Sequence, residues 1–174
     1  RHVLEQSSKA GKWDFTPIYP IYSLVGKTVG IVGCGRIGSL VLRKIAGFDF
    51  KILVCDPYLS AQRKAELGIQ TVDLAALLNQ SDIVTIHAAL TEETRNLIRA
   101  ETIAQMKDGV RIVNCARGGI VNEADLYEAL RSGKVAGAAL DVFATEPITD
   151  SPLFGLPNFI STPHLGAASE EAQE

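Results

Sequence analysis

Between positions 26 and 161 the chain alternates between two hydrophobic periods. Seven short apolar runs rich in β-branched residues, at 28–32, 51–55, 69–72, 82–87, 110–114, 135–140 and 159–161, read as strands. Between them the apolar residues recur at helical spacing. After the first run Ile37, Leu40, Val41 and Ile45 fall on one helical face. The stretch 61–67 reads as a short helix closed by Gly68, and Asp73 is a cap for a helix over 74–78. Residues 100–106 form a further helix that closes at Lys107-Asp108-Gly109. Asn122, with Asp125 in the first turn, caps a helix carrying Ala124, Leu126, Ala129 and Leu130 that stops at Gly133. Repeated β-α alternation of this kind requires right-handed crossovers and a mostly parallel sheet, so the pattern predicts a doubly wound α/β fold of about seven strands.

Ahead of this region the pattern fails. Residues 1–10 read as a short polar helix, broken by the Gly- and Pro-containing stretch 11–17. Trp13, Phe15, Ile18, Tyr19, Ile21 and Tyr22 then gather without either period, interrupted by Pro17 and Pro20. Such an arm has to lie on an apolar surface, either that of its own domain or that of a second subunit. The chain's 174 residues, 47% of them hydrophobic, allow one globular domain with a large core. The net charge of −3 gives no basic field for nucleic acid, no run is long enough for a membrane span, and the first residues are not a secretion signal. Cys34, Cys55 and Cys115 stand at or beside strand ends without C-x-x-C spacing. They read as buried or half-buried fillers in a reducing cytoplasm, with no metal site.

In an open parallel sheet ligands bind beyond the carboxyl ends of the strands. There the bland strand bodies give way to Gly33–Gly38, Asp56, His87, Cys115 to Arg117, Asp141 and His164. The first of these is a G-x-G-x-x-G turn between a strand and a helix. Gly33 permits the sharp turn, Gly35 lets a pyrophosphate approach the backbone, and Gly38 lets the helix pack on the strand, with helix N–H groups facing the phosphates. Asp56 ends the next strand, eighteen residues past Gly38, where a carboxylate accepts hydrogen bonds from an adenosine ribose. It would also repel a 2′-phosphate, and Pro57-Tyr58-Leu59 supplies no Arg, which favours NAD over NADP.

Several linked motifs then carry a resemblance: the Gly33-Cys34-Gly35-Arg36-Ile37-Gly38 loop, Asp56, Asn114-Cys115-Ala116-Arg117-Gly118-Gly119-Ile120-Val121, Leu140-Asp141-Val142-Phe143 with Glu146-Pro147, and Thr162-Pro163-His164-Leu165-Gly166-Ala167. In this order they resemble the D-2-hydroxyacid dehydrogenase family, above all its phosphoglycerate-oxidising branch. The resemblance implies a catalytic set of Arg117, Glu146 and His164. The chemistry suits them: imidazole shuttles a proton near neutral pH, a carboxylate beside it favours the charged form and fixes the ring, and a guanidinium holds a substrate carboxylate in two places. It implies NAD binding by Arg36 and Ile37 at the pyrophosphate, by the backbone of Cys115, Ala116 and Arg117, by Asp141 at the nicotinamide amide, and by the turn of His164, Gly166 and Ala167. His87 and Ala88 either line the cofactor cleft or, for His87, belong to the core.

The resemblance further implies three departures and a missing part. Ala88-Ala89 stands where relatives carry a small polar or β-branched residue and Pro, Asn122 where Asp is common, and Ala168-Ser169 where Ser-Thr is common. Residues 1–25 would be a connecting helix and arm, 26–165 the cofactor domain, and 166–174 the start of a helix returning to a substrate domain that the chain lacks. The expected activity is NAD-dependent hydride transfer between nicotinamide and a 2-hydroxy or 2-keto acid, first of all D-3-phosphoglycerate, in a cytoplasmic homodimer. Glyoxylate or hydroxypyruvate reduction and a non-catalytic, NAD-sensing corepressor-like role are the alternatives.

Overall fold

The computed structural model describes residues 2–14, 16 and 21–170. A short helix α1 (His2–Lys9) precedes the alternating region. There follow β1 (Thr28–Val32), α2 (Arg36–Ile45), β2 (Lys51–Cys55), α3 (Ala61–Leu67), α4 (Leu74–Gln80) and β3 (Ile83–Ile86). The rest is α5 (Ala100–Ala104), β4 (Val110–Asn114), α6 (Glu123–Ser132), β5 (Val135–Leu140) and β6 (Phe159–Ser161). The six strands form one sheet in the order β2-β1-β3-β4-β5-β6, and every pairing is parallel. From β1 the chain goes first to β2 on one side and then to β3 on the other. The two crossovers therefore part above β1 and leave a crevice at its carboxyl end.

The sheet is the doubly wound one expected, with six strands rather than seven. The stretch 69–72 makes only one bridge, Thr71 to Val54, with Val72 N donating to Val54 O at 2.9 Å. Gly68 ends α3 in a left-handed conformation and Asp73 already caps α4, so too few residues remain between them for a ladder. The expected caps are formed: Asp73 accepts from Ala76 N at 2.7 Å and Asn122 from Asp125 N at 3.1 Å.

Alternate strand residues feed two apolar clusters, as a period of two requires. Val29, Ile31 and Val54 join Leu42 of α2 on one face. Val32, Val84, Ile86 and Ile112 join Leu77 and Leu78 of α4, Ile103 of α5 and Leu126 and Leu130 of α6 on the other. Helix α2 departs from the sequence expectation. It buries Gly38, Ser39 and Leu42, while Ile37 and Leu40 stand exposed. Val41 and Ile45 of the expected face are half-buried, and the reason that only Ile37 and Leu40 turn out is Gly38, which brings the start of α2 so close to the Gly33 carbonyl that Gly38 and Ser39 pack inward. The aromatic arm is likewise not covered by its own domain where it is described, since Trp13, Ile21 and Tyr22 are all exposed. Phe15, Ile18 and Tyr19 lie outside the described residues.

Candidate functional site

The glycine turn joins β1 to α2 at the crevice. Gly33 has φ +85°, a conformation that disfavours any side chain, and a Cβ there would also meet the Ala88 backbone N at 2.7 Å. A Cβ on Gly38 would meet the Gly33 carbonyl oxygen at 2.1 Å, so helix and turn touch through bare backbone. Gly35 differs from both: its φ is −67° and nothing lies within 4 Å of a Cβ built on it. The space beside it is open. Helices α3, α4 and α6 are capped by the side chains of Ser60, Asp73 and Asn122, whereas Gly35 offers α2 none, so the N–H groups of its first turn keep no side-chain acceptor. An open approach to uncapped N–H groups at the positive end of a ten-residue helix fits a dinucleotide pyrophosphate. Arg36 and Ile37, the first two helical residues, are exposed there.

Asp56 is half-buried at the end of β2 and holds this turn. Its Oδ2 accepts from Cys34 N at 2.7 Å and its Oδ1 from Tyr58 N at 3.0 Å. A cavity of about 500 Å³ lies between it and the end of β3, with Gly33, Gly35, Tyr58, His87, Ala88 and Glu93 in its wall. His87 and Ala88 also line a second cavity of about 540 Å³ together with Ile37, Cys115, Ala116 and Arg117. His87 is thus a partition between two cavities rather than a core residue. Its Nε2 lies 3.0 Å from Thr85 Oγ1, and burial pushes its pKa down, so the ring stays neutral near pH 7. Cys115 is exposed, contrary to the expectation of a buried filler. Partial burial and the charge of Asp141 still push its thiol pKa up, away from thiolate chemistry.

At the far end of the sheet Asp141, Glu146 and His164 line a third cavity of about 340 Å³. His164 Nδ1 lies 2.7 Å from Glu146 Oε2, and Glu146 Oε1 accepts from Phe143 N at 2.8 Å. The bond from His164 and then that from Phe143 hold the Glu146 carboxyl below its ordinary pKa. The carboxylate is therefore ionised near pH 7 and only accepts, so the proton of this bond sits on Nδ1. Nε2 is then the ring nitrogen that this bond does not engage.

His164 is one of three non-glycine residues with positive φ among those described, at +57°. Asp141, only 5% exposed, holds that turn in place. It accepts from the Thr162 hydroxyl, from Leu165 N at 2.7 Å and from Gly166 N at 3.0 Å. Burial alone would raise its pKa, but these bonds and the neighbouring His164 outweigh it and hold the carboxyl below its ordinary value. The residue expected at a nicotinamide amide is thus first of all the anchor of the His164 turn. Ala167 follows in the same exposed turn.

Arg117 stands on the loop after β4. Its Nη1 donates to Ala116 O at 2.6 Å and its side chain is exposed, in the wall of the second cavity rather than that of the His164 cavity. The fold therefore pairs two members of the expected set and leaves the third on the neighbouring loop. Three residues to which the sequence reading gave no role tie these loops together. Asn114, 1% exposed, accepts from Ala116 N at 3.0 Å and donates to Arg117 O at 3.0 Å. Glu123 accepts from Ala144 N at 2.7 Å. A Cβ on Gly118 would fall 1.8 Å from Phe143 O, so the Arg117 loop lies directly on the backbone that leads to Glu146. Asn114 and Gly118 stood in the sequence within the motif around Arg117, without a role, while nothing there pointed to Glu123.

The model of the D-isomer specific 2-hydroxyacid dehydrogenase NAD binding domain matches residues 2–166. The chain is 47% identical over 175 residues to the D-3-phosphoglycerate dehydrogenase of Bacillus subtilis, covering 99% of this chain and 33% of that protein. It is 52% identical over 151 residues to that of Mycobacterium tuberculosis H37Rv, covering 87% and 29%. Among solved structures, the NAD-dependent formate dehydrogenase of Staphylococcus aureus in complex with NAD superposes with a TM-score of 0.89 at 36% identity, over 99% of this chain and 52% of that one. A glyoxylate reductase from Paecilomyes thermophila gives 0.83 at 36%, over 97% and 51%. The chain thus spans about a third of the length of the curated relatives and about half of these solved chains.

Proposed function

Because the chain belongs to the D-isomer specific 2-hydroxyacid dehydrogenase family, through its NAD-binding domain, we propose that its protein oxidises a 2-hydroxy acid and reduces the matching 2-keto acid, with D-3-phosphoglycerate as the hydroxy acid. The observation that carries this reading is the Glu146–His164 pair, standing at the same sheet edge as the uncapped glycine turn. NAD, when bound, supplies or accepts the hydride at the substrate's C2. Gly33, Gly35, Arg36, Ile37 and Gly38 would hold its pyrophosphate, Asp56 its adenosine ribose, and the partition of His87 and Ala88 its middle. Cys115, Ala116, Asp141, Gly166 and Ala167 would surround its nicotinamide end.

The proton falls to His164. With Nδ1–H engaged by Glu146, Nε2 faces the substrate oxygen. As imidazolium it gives its proton to the oxygen that becomes the hydroxyl, and in oxidation neutral Nε2 takes that proton back. Glu146 keeps the ring in one orientation and offsets its positive charge. Arg117 presents a planar fork of donors to the substrate carboxylate and favours charge building on the neighbouring oxygen. For this the guanidinium must leave Ala116 O, which an anion in the second cavity favours. The 47% and 52% identities to phosphoglycerate dehydrogenases support phosphoglycerate; the likeness to a glyoxylate reductase makes the smaller 2-keto acids the second reading. The uncovered apolar stripe of Ile37 and Leu40 and the exposed arm residues support a homodimer formed through this domain. We place the protein in the cytoplasm.

A panel of 2-hydroxy and 2-keto acids on the full-length protein, followed by NADH absorbance, tests the reading. Phosphoglycerate should be oxidised, and His164→Ala should keep NADH binding while losing at least about a hundredfold in turnover, the contribution usual for a positioned acid–base group. NADH binding with no turnover of any acid would leave a binding role of the corepressor type instead.

A further inference from the structure

The cavity beside Asp56 carries a second carboxylate. Glu93 stands in the same wall lining, on the segment that follows β3, and its Oε2 accepts a hydrogen bond from the Tyr58 hydroxyl. Tyr58 meanwhile donates its backbone N–H to Asp56 Oδ1 at 3.0 Å. One residue of the cavity lining thus joins the two carboxylates, its main chain on one and its phenol on the other. Both side chains are exposed, and donation to Glu93, and then the charge of Glu93, push the Tyr58 pKa up. The wall offers no Lys or Arg to offset the two negative charges. His87 is kept neutral there by burial. Arg63, near the same turn, is engaged with Glu66 at 2.8 Å.

We infer that Glu93, held in place by Tyr58, is a second determinant of NAD over NADP, acting with Asp56 against a phosphate on the adenosine ribose. The inference rests on the proposed placement of the adenosine end in this cavity. A ribose hydroxyl can donate to a carboxylate, whereas a phosphate dianion only accepts and is repelled by both charges. With both carboxylates in the lining, removing Asp56 alone still leaves the charge of Glu93 beside the cavity. Tyr58 is a positioning residue here, since without its hydroxyl Glu93 is free to swing into solvent.

The test is calorimetric titration of the full-length protein with NADH and NADPH at about 0.05 M and 0.5 M salt. Glu93→Gln should lower the ratio of the NADPH to the NADH dissociation constant about threefold to tenfold at low salt, the size expected of an exposed like charge several Å away. The change should shrink at high salt. Tyr58→Phe should move the ratio the same way by less. The double variant Asp56→Asn with Glu93→Gln should move it further than Asp56→Asn alone. A shift with Asp56→Asn but none with Glu93→Gln, in either background, would overturn the role of Glu93 while leaving the adenosine site standing. No shift with Asp56→Asn, or no NADH binding by the unmodified full-length protein, would overturn the placement of the cofactor and this inference with it.

Discussion

Gly35→Ala separates what the glycine turn does for folding from what it does for binding. A Cβ at this position meets nothing within 4 Å, and the φ of −67° is open to alanine. The substitution removes freedom from the unfolded chain and leaves the folded one unstrained, which stabilises by about 0.4–1 kcal/mol. In the proposed complex the same methyl occupies the approach of the pyrophosphate. Losing one charge-assisted hydrogen bond costs about 1.5–3 kcal/mol, roughly tenfold to a hundredfold in affinity. Thermal melting reads both effects at once. At NADH a hundred times above its Kd, binding stabilises the unmodified chain by about 2.7 kcal/mol. For a domain of this length that raises the Tm by about 7 °C. With a hundredfold weaker Kd the same NADH gives about 0.4 kcal/mol, a rise of about 1 °C. The variant should therefore melt at or slightly above the unmodified chain without ligand and well below it with NADH. An undiminished NADH shift would show that nothing approaches the backbone at Gly35. A ligand-free Tm lower by many degrees would show that the space beside it is needed for the fold.

Gly118→Ala should act on the site through the loops. Its Cβ would lie 1.8 Å from Phe143 O, so the Arg117 and Glu146 loops must part by about 1 Å. A displacement of that size costs about a hundredfold in kcat, and a full-length variant with unchanged turnover would refute the coupling of the two loops. Asp141→Asn should lower the Tm at pH 7 by the equivalent of about 2 kcal/mol, since one of the two oxygens that accept these part-buried hydrogen bonds becomes an amide donor facing another donor. The Asp141 carboxyl is held below its ordinary 3.8, so the stability it gives is complete above that pH and is lost as pH falls through the lower folded value. Melting curves from pH 7 to pH 2 should show the gap between variant and parent narrowing only below about pH 4. A gap that narrows already between pH 7 and pH 5 would assign the effect to another group.

The alternation of period-two runs with helical segments was enough to specify a parallel doubly wound sheet, and the caps at Asp73 and Asn122 were legible because capping is a local matter of a side chain and the next turn. The polar residues at the carboxyl ends of the strands could also be read directly, since the strand period places those ends on one edge. What local pattern does not carry is which face of an element meets another. Helix α2 presents two apolar stripes, and only the contact of Gly38 with the Gly33 carbonyl decides that Ile37 and Leu40 face out. The stretch 69–72 has the composition of a strand but too little chain between two helices to make a ladder. Likewise the sequence names Asp141 and His164, 23 positions apart, without stating that one carboxylate grips the turn of the other. Residue types and spacing determine the menu of groups at the sheet edge. Hydrogen bonds between loops far apart in the chain, which no local propensity encodes, decide which of those groups meet.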